Sequence, residues 1–433
     1  MSLLNTDYAI YLPAVNDSFA AETIKQLPNQ RSFPAGLEID DLIFWNRNNK
    51  LWNYSHILHS VGLHKVSSQP DNAVTRAGKT DCFVLGDSGG YQIGTGKLKG
   101  YQSLHAGMSS DDAKTAWASA YLVRRWILDW LELHTDYAMT IDMPLWATLP
   151  KGAASPFHQC SAQLLTAMTV DNLKFIDLHR QGRTRWLNVV QGLDEQTTVA
   201  WWNAVKWFEC NGYALAGAAG VKGGIENVLR TVLMMRDDGA FESGHDWIHV
   251  LGVSTPKWAI LLTAIQRALR LSVNPKLQIS YDSATPFQAA GIREEVALSP
   301  RYSSRPADWA IRFETVPQSS TLTGSTAPFP YSSPLGDILT LGDLNVRGGA
   351  WTERSFDTVS NLLLCNHNCW VLLEAFRQAN ELAFVTDRSA VPSTWRSCLD
   401  FIANVFEQQD WQAKLEKDKA LLEVVAASEF RKG

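Results

Sequence analysis

Residues 86–92 read Gly-Asp-Ser-Gly-Gly-Tyr-Gln and directly follow the apolar run Cys82–Leu85. A strand that ends in Asp87 holds a carboxylate rigidly, ready to accept a proton or a hydrogen bond. Gly89 and Gly90 let the backbone approach a ligand with no Cβ in the way. Tyr91 offers a flat face to a flat ligand. Taken alone, the segment also reads as an ordinary strand-to-loop turn, because Asp, Ser and Gly are common turn formers. Other apolar runs end in residues of the same kind: Asp142, Gln191-Gly192, Gly217, Leu251-Gly252 and Asp282. Three carboxylates, a carboxamide and several glycines at successive strand ends form a set suited to acid–base work on a planar, hydrogen-bonding ligand.

The elements that must position them repeat as strand, then helix. Short apolar runs fall at Ala9–Leu12, Asp41–Phe44, Cys82–Leu85, Ala138–Ile141, Trp186–Val190, Tyr213–Ala216, Trp247–Val250 and Leu277–Ser280. Between them lie segments of helical period such as Asp112–Leu133, Thr197–Glu209, Ile225–Met235 and Lys257–Leu271. Eight alternations predict an α/β fold, a TIM-type (β/α)8 barrel spanning residues 1–298. A doubly wound open sheet would alternate in the same way and is the competing fold. In a barrel, chemistry sits at the carboxyl ends of the strands, which would gather the six run ends on one rim. Residues 299–355 read as a Ser- and Pro-rich loop or insertion, and 356–433 as C-terminal helices packed on the barrel. The lysine-rich stretch Lys414–Lys419 reads as a solvated helix face.

Composition sets outer bounds. The chain has 433 residues, enough for a large barrel plus an appendage, and 45% of them are apolar. It contains no run of about 18 apolar residues, so no membrane span is expected. The first residues lack a basic start and an apolar core, so no secretory signal is expected either. Six scattered cysteines suggest no disulfide framework and a reducing cytoplasm. A net charge of −5 weighs against a strongly nucleic-acid-gripping surface, although the local field at a site is what counts. Tryptophan is abundant, 17 in all, and most of it is expected in the core.

With these residues in view, the chain resembles the tRNA-guanine transglycosylases over roughly residues 80–290, with a weaker echo near 361–382. Asp87-Ser-Gly-Gly-Tyr-Gln92 resembles that family's acid/base loop, and Met139-Thr-Ile-Asp142 its base-binding strand. Val189-Val-Gln-Gly192 is similar to its Val-Gln-Gly signature, and Gly212-Tyr-Ala-Leu-Ala-Gly217 to its Gly-Tyr-Ala-Ile-Gly-Gly turn. Val250-Leu-Gly-Val-Ser-Thr-Pro256 is similar to its Leu-Met-Gly-Val-Gly-Thr-Pro, and Tyr281-Asp-Ser-Ala-Thr-Pro286 to its nucleophile segment. The resemblance implies exchange of guanine in a nucleic acid for a 7-deazaguanine. Asp282 would be the nucleophile and Asp87 the acid/base group, by the two-carboxylate logic of retaining glycoside chemistry, in which the groups lie about 5–5.5 Å apart. Asp142 would accept from N1–H and N2–H of the base, while Gln191 and the Gly217 N–H would donate to O6. Tyr91 and Leu251 would sandwich the purine, with Ser88, Gly89 and Gly90 completing its binding loop. A base read in this way must leave its stack, which implies flipping or a single-stranded substrate.

The departures from the family pattern are informative too. The RNA enzymes bind zinc through Cys-x-Cys-x-x-Cys and a later His-Asn. No such cysteine cluster follows Asp282 here, while the His-Asn persists as His367-Asn368 between Cys365 and Cys369. No cofactor is therefore expected, and Cys365, His367 and Cys369 are the only metal candidates. Helical spacing puts the two cysteines on one face and His367 on the other. Pro286 is followed by Phe287-Gln288, where the RNA enzymes usually place Thr-Arg. These losses point to the branch of the superfamily that acts on DNA, inserting 7-cyano-7-deazaguanine (preQ0) or a relative. Expected partners are DNA and the free base, with an ATPase partner and homodimerisation implied by the resemblance. Lys97, Lys99, Lys222 and Lys257 follow strands on the catalytic rim and are candidates for phosphate contact. Arg180, Arg183 and Arg185 precede the fifth strand and belong to the opposite end. The alternative readings are a transglycosylase acting on transfer RNA, and a non-catalytic subunit that binds a base or nucleic acid.

Overall fold

The computed structural model describes residues 4–26, 33–217, 224–242, 244–346 and 356–428. The first half runs β1 (Ile10–Pro13), α1 (Asp17–Glu22), β2 (His56–Ser60), α2 (Ala73–Asp81), β3 (Phe83–Asp87), α3 (Gly90–Gly94), α4 (Ser110–Ala118), α5 (Tyr121–His134), β4 (Tyr137–Met139), α6 (Ala162–His179) and β5 (Arg185–Gln191). It continues with α7 (Glu195–Val205), β6 (Gly212–Ala216), α8 (Ile225–Asp237), β7 (Trp247–Val250), α9 (Pro256–Ser272), β8 (Gln278–Ser283) and α10 (Thr285–Arg293).

These eight strands pair in parallel in the order β1-β8-β7-β6-β5-β4-β3-β2. The two ends of that order meet through a parallel bridge between Ala14 and Leu58, where the Val15 N–H donates to the Leu58 carbonyl at 2.9 Å. The sheet therefore closes into a (β/α)8 barrel, and the open-sheet alternative is excluded.

Side chains alternate along a strand with period two, and this alternation builds the barrel interior in layers. At the amino end Phe83 stacks on His56, with ring centroids 4.7 Å apart, and on Trp247, at 4.8 Å. Because β3 and β7 are not neighbours in the sheet, the Phe83–Trp247 contact crosses the lumen. Phe83, Leu85 and Asp87 share the inward face of β3, so the parity that seats Phe83 in the floor also turns Asp87 toward the mouth. Register then matches Ser60 with Asp87 across β2 and β3.

One strand is not where the apolar runs place it. Residues Asp41–Phe44 do not form a strand; Ile39–Leu42 is a 3₁₀ turn held by the Asp41 carboxylate, which accepts from the Glu38 N–H at 2.9 Å. The second strand is His56–Ser60, whose two histidines dilute its apolar character. The helix expected over Asp112–Leu133 is two helices. Ser119 Oγ bonds back to the Thr115 and Ala116 carbonyls and competes with the helical ladder at the break.

Beyond the barrel, β9 (Glu295–Leu298) pairs antiparallel with β10 (Arg312–Thr315), and α11 (Leu341–Leu344) follows. The segment expected to be loop thus carries short regular elements among its described residues. Then come α12 (Thr358–Phe384), α13 (Ser393–Val405), α14 (Trp411–Lys417) and α15 (Lys419–Ala427). The long α12 packs on α9 and α10, and α13 packs on α9. No helix among the described residues is long and apolar enough to cross a membrane.

Candidate active site

Asp87, Asp142, Gln191, Gly217, Leu251 and Asp282 all lie at or just past the carboxyl ends of barrel strands. Asp87 ends β3. The nearby Ser60 hydroxyl and Gly89 N–H favour its charged form, but desolvation first, and then the charge of Asp282, hold its pKa above the ordinary carboxylate value. Asp87 and Asp282 thus feel each other's field although they arise from β3 and β8.

Among the described residues, Asp282 is anchored on one side only. Its Oδ1 accepts from the Gly252 N–H at 2.9 Å and lies 3.2 Å from His249 Nε2. His249, fully buried on β7, meets Ser280 Oγ through Nδ1 at 2.8 Å. Ser280 Oγ also accepts from Trp247 Nε1 at 2.7 Å.

Asp142 follows the neighbouring strand β4 and lies in the field of Asp87. A Cβ on Gly90 would stand 3.2 Å from Asp142 Oδ1, so the glycine is what lets the β3 loop close on this carboxylate. Burial first, and then the Asp87 charge, push the Asp142 pKa up to about 7 against the opposing hydrogen bond from Gln191. Gln191 Nε2 donates to Asp142 Oδ2 and to the Met143 carbonyl, and its Oε1 accepts from the Leu145 N–H. Its amide protons are therefore engaged within the protein, and Gln191 orients Asp142 in place of the expected direct donation to a base.

The rest of the loop divides in the same way. Ser88 is fully buried and its hydroxyl donates to the Thr140 carbonyl at 3.1 Å, so it ties β3 to β4 and does not face a ligand. Gly89 adopts φ +83° and caps α3, and Gly217 adopts φ +78° at an exposed turn; both conformations favour glycine. Tyr91 is 64% exposed at the mouth, and its ring lies 5.9 Å from that of Trp146. Leu251 is half-buried just after β7.

The expected basic contacts fare unevenly. Lys97 is exposed. Lys99 is exposed and pairs with Asp17 at 3.2 Å. Lys257 is only 3% exposed, and its ammonium donates to the Val425 carbonyl at 2.7 Å. It docks the C-terminal helices and is withdrawn as a nucleic-acid contact. Lys222 lies outside the described residues. Arg185 opens β5 at the amino end of the barrel, opposite the site.

The metal candidates do not form a ligand set. His367 is buried in α12, with Nδ1 2.8 Å from Ser333 Oγ and Nε2 3.1 Å from the Ala297 carbonyl, so both ring nitrogens are engaged. Asn368 clamps β9 by accepting from the Ala297 N–H at 2.7 Å and donating to the Glu295 carbonyl at 3.0 Å. Burial raises the thiol pKa values of Cys365 and Cys369, which favours the neutral form over a metal-binding thiolate. Among the described residues no group of three or more His, Cys, Asp or Glu is placed to hold a metal ion. These residues do not fit a zinc site; they pin the hairpin to α12.

Sequence reasoning missed His249, Ser280, Ser60 and Trp146. The usable signal was parity. A histidine and a serine on inward positions of otherwise apolar strands, each two residues before a rim residue, mark the layer beneath the site. Neither a scan of protein-family models nor a search of curated proteins finds a match to this chain.

Proposed function

We propose that the protein is a DNA-guanine transglycosylase that exchanges guanine in DNA for a 7-deazaguanine base, preQ0 or a relative. What carries the reading is the pair of rim carboxylates: Asp282, anchored through one oxygen, and Asp87, half-buried in its field with a raised pKa.

In the first half-reaction an Asp282 oxygen bonds to C1′ of the flipped nucleotide while the C1′–N9 bond breaks. Asp87, whose raised pKa favours the protonated form, gives its proton to the departing guanine. In the second half-reaction N9 of the incoming base gives its proton to Asp87 and bonds to C1′. The Asp282–C1′ bond breaks, and configuration is retained. Asp142, oriented by Gln191, accepts from the Watson–Crick donors of the base. Tyr91 and Leu251 flank its faces.

Support for DNA over transfer RNA lies in the chain's departures from the RNA pattern. Gln288, at the position where the RNA enzymes place an arginine that could hold a phosphate, is an exposed, uncharged residue of α10. The deciding assay offers guanine-containing DNA and transfer RNA together with a labelled 7-deazaguanine. Label should enter DNA, and Asp282→Asn should lose turnover by several orders of magnitude. Label entering only transfer RNA would replace the substrate, and entry into neither, with or without an ATPase partner, would overturn the reading.

A further inference from the structure

We infer that Trp247, Ser280 and His249 form a one-way hydrogen-bond relay that makes His249 a fixed donor to Asp282 Oδ1 and assigns Oδ2 as the attacking oxygen. The direction follows from donor inventory. The indole Nε1–H of Trp247 can only donate, so Ser280 Oγ accepts there. Among the described residues, the acceptor that Ser280's own proton reaches is His249 Nδ1, at 2.8 Å. A proton arriving at Nδ1 leaves that nitrogen as an acceptor, so the ring carries its hydrogen on Nε2. Nε2 faces Asp282 Oδ1 at 3.2 Å. Each bond hands a donor to the next group, and the chain ends on a carboxylate.

Two donors, from His249 and Gly252, then converge on Oδ1. Among the described residues Oδ2 has no hydrogen-bond partner, while the Asp282 side chain keeps 13% of its surface open. A carboxylate held in this way presents one oxygen in one orientation, which is what in-line attack on a sugar carbon needs. The floor supports the relay in turn, because Trp247 is stacked on Phe83 at 4.8 Å and cannot easily swing its N–H away. His249 is therefore a positioning residue acting through Asp282. Calling Oδ2 the attacking atom rests on the proposed function; the relay's direction does not.

Two measurements separate these claims. Nitrogen NMR of ¹⁵N-histidine-labelled protein, with the His249 signals assigned by their loss in His249→Gln, should show an imine-type Nδ1 and a pyrrole-type Nε2 at neutral pH. Trp247→Phe keeps the floor packed but removes the indole donor, and should convert this single tautomer into a mixture. A protonated Nδ1 in the wild-type protein, or a tautomer unmoved by Trp247→Phe, would overturn the relay. The second measurement is the rate of covalent adduct formation with guanine-containing DNA. His249→Phe should slow it about 10- to 100-fold with little change in KM, as loss of a hydrogen bond to a charged group implies. His249→Gln, which can accept from Ser280 and donate to Asp282, should recover most of that loss. A His249→Phe variant as fast as wild type would overturn the positioning role. A wild-type protein that forms no adduct would sink the proposed function and, with it, the assignment of Oδ2, while the NMR result would stand or fall by itself.

Discussion

The side-chain amide of Gln191 donates to the Asp142 carboxylate, joining the carboxyl end of β5 to the loop after β4. This bond favours the ionised carboxylate, yet burial and Asp87 outweigh it and push the Asp142 pKa up to about 7. At neutral pH the site thus holds Asp142 as a mixture of its two protonation states. A guanine-like base that presents two N–H donors selects the ionised form.

Binding of a 7-deazaguanine should therefore be pH-dependent with a defined sign. Affinity should be greatest above pH about 7 and fall roughly tenfold per pH unit below it, since the competing proton must first leave. Calorimetric titration across this range checks the slope. A flat profile would mean that Asp142 does not receive the base.

The same shift has a cost in stability. The folded value, about 7, lies above the ordinary 3.8, so between these values the folded protein holds a proton that the unfolded chain has released. Stability from this group falls as pH rises through that window and levels off above it. Asp142→Asn should be more stable than wild type above pH about 7, by up to about 4 kcal/mol, with the gain vanishing toward pH about 4. Thermal melts at the two extremes test this, and the same variant should lose base binding.

Gly62 governs how closely the Asp87 loop seats. A Cβ there would lie 2.6 Å from Gln92 Oε1 and 2.8 Å from Gly89 Cα. The side chain could yield, but the backbone of Gly89, which caps α3 two residues after Asp87, cannot without moving the loop that carries Asp87. Gly62→Ala should cost about 1–3 kcal/mol by overpacking and should lower adduct formation well beyond the fraction of protein unfolded. Normal kinetics in a folded variant would show that the loop tolerates displacement.

The two lysines with opposite burial should separate cleanly. Lys257→Met removes the donor to the Val425 carbonyl and should destabilise the protein by about 1–3 kcal/mol while leaving the salt dependence of DNA binding unchanged. Lys97→Ala should be neutral in stability and reduce the salt slope by about one. Salt titrations of DNA affinity on both variants read the contrast directly.

Much of the architecture is legible in the chain because its signals are local. Seven of the eight apolar runs fall on barrel strands, and each of the three rim aspartates sits at or just past a strand end. The miss at the second strand has a physical cause. Asp41 offers its carboxylate to the nearby Glu38 N–H and turns an apolar run into a 3₁₀ turn, while Leu42 is still buried and its carbonyl accepts from Asn366 at 2.9 Å. Burial explains the apolar residues there, and it does not require a strand.

Sequence alone determined which chemical groups stand at the rim, since run length, parity and the residue after each run depend on neighbours a few positions away. Only the tertiary structure decided what those groups touch. Gln191 turns inward to a residue 49 positions away, His249 meets Asp282 across 33, and Lys257 is drawn into the core by a carbonyl 168 positions further on. Hydrogen-bond partners in a closed parallel barrel come from neighbouring strands and from appended helices. Register and packing choose them, and these have no local signature in the chain.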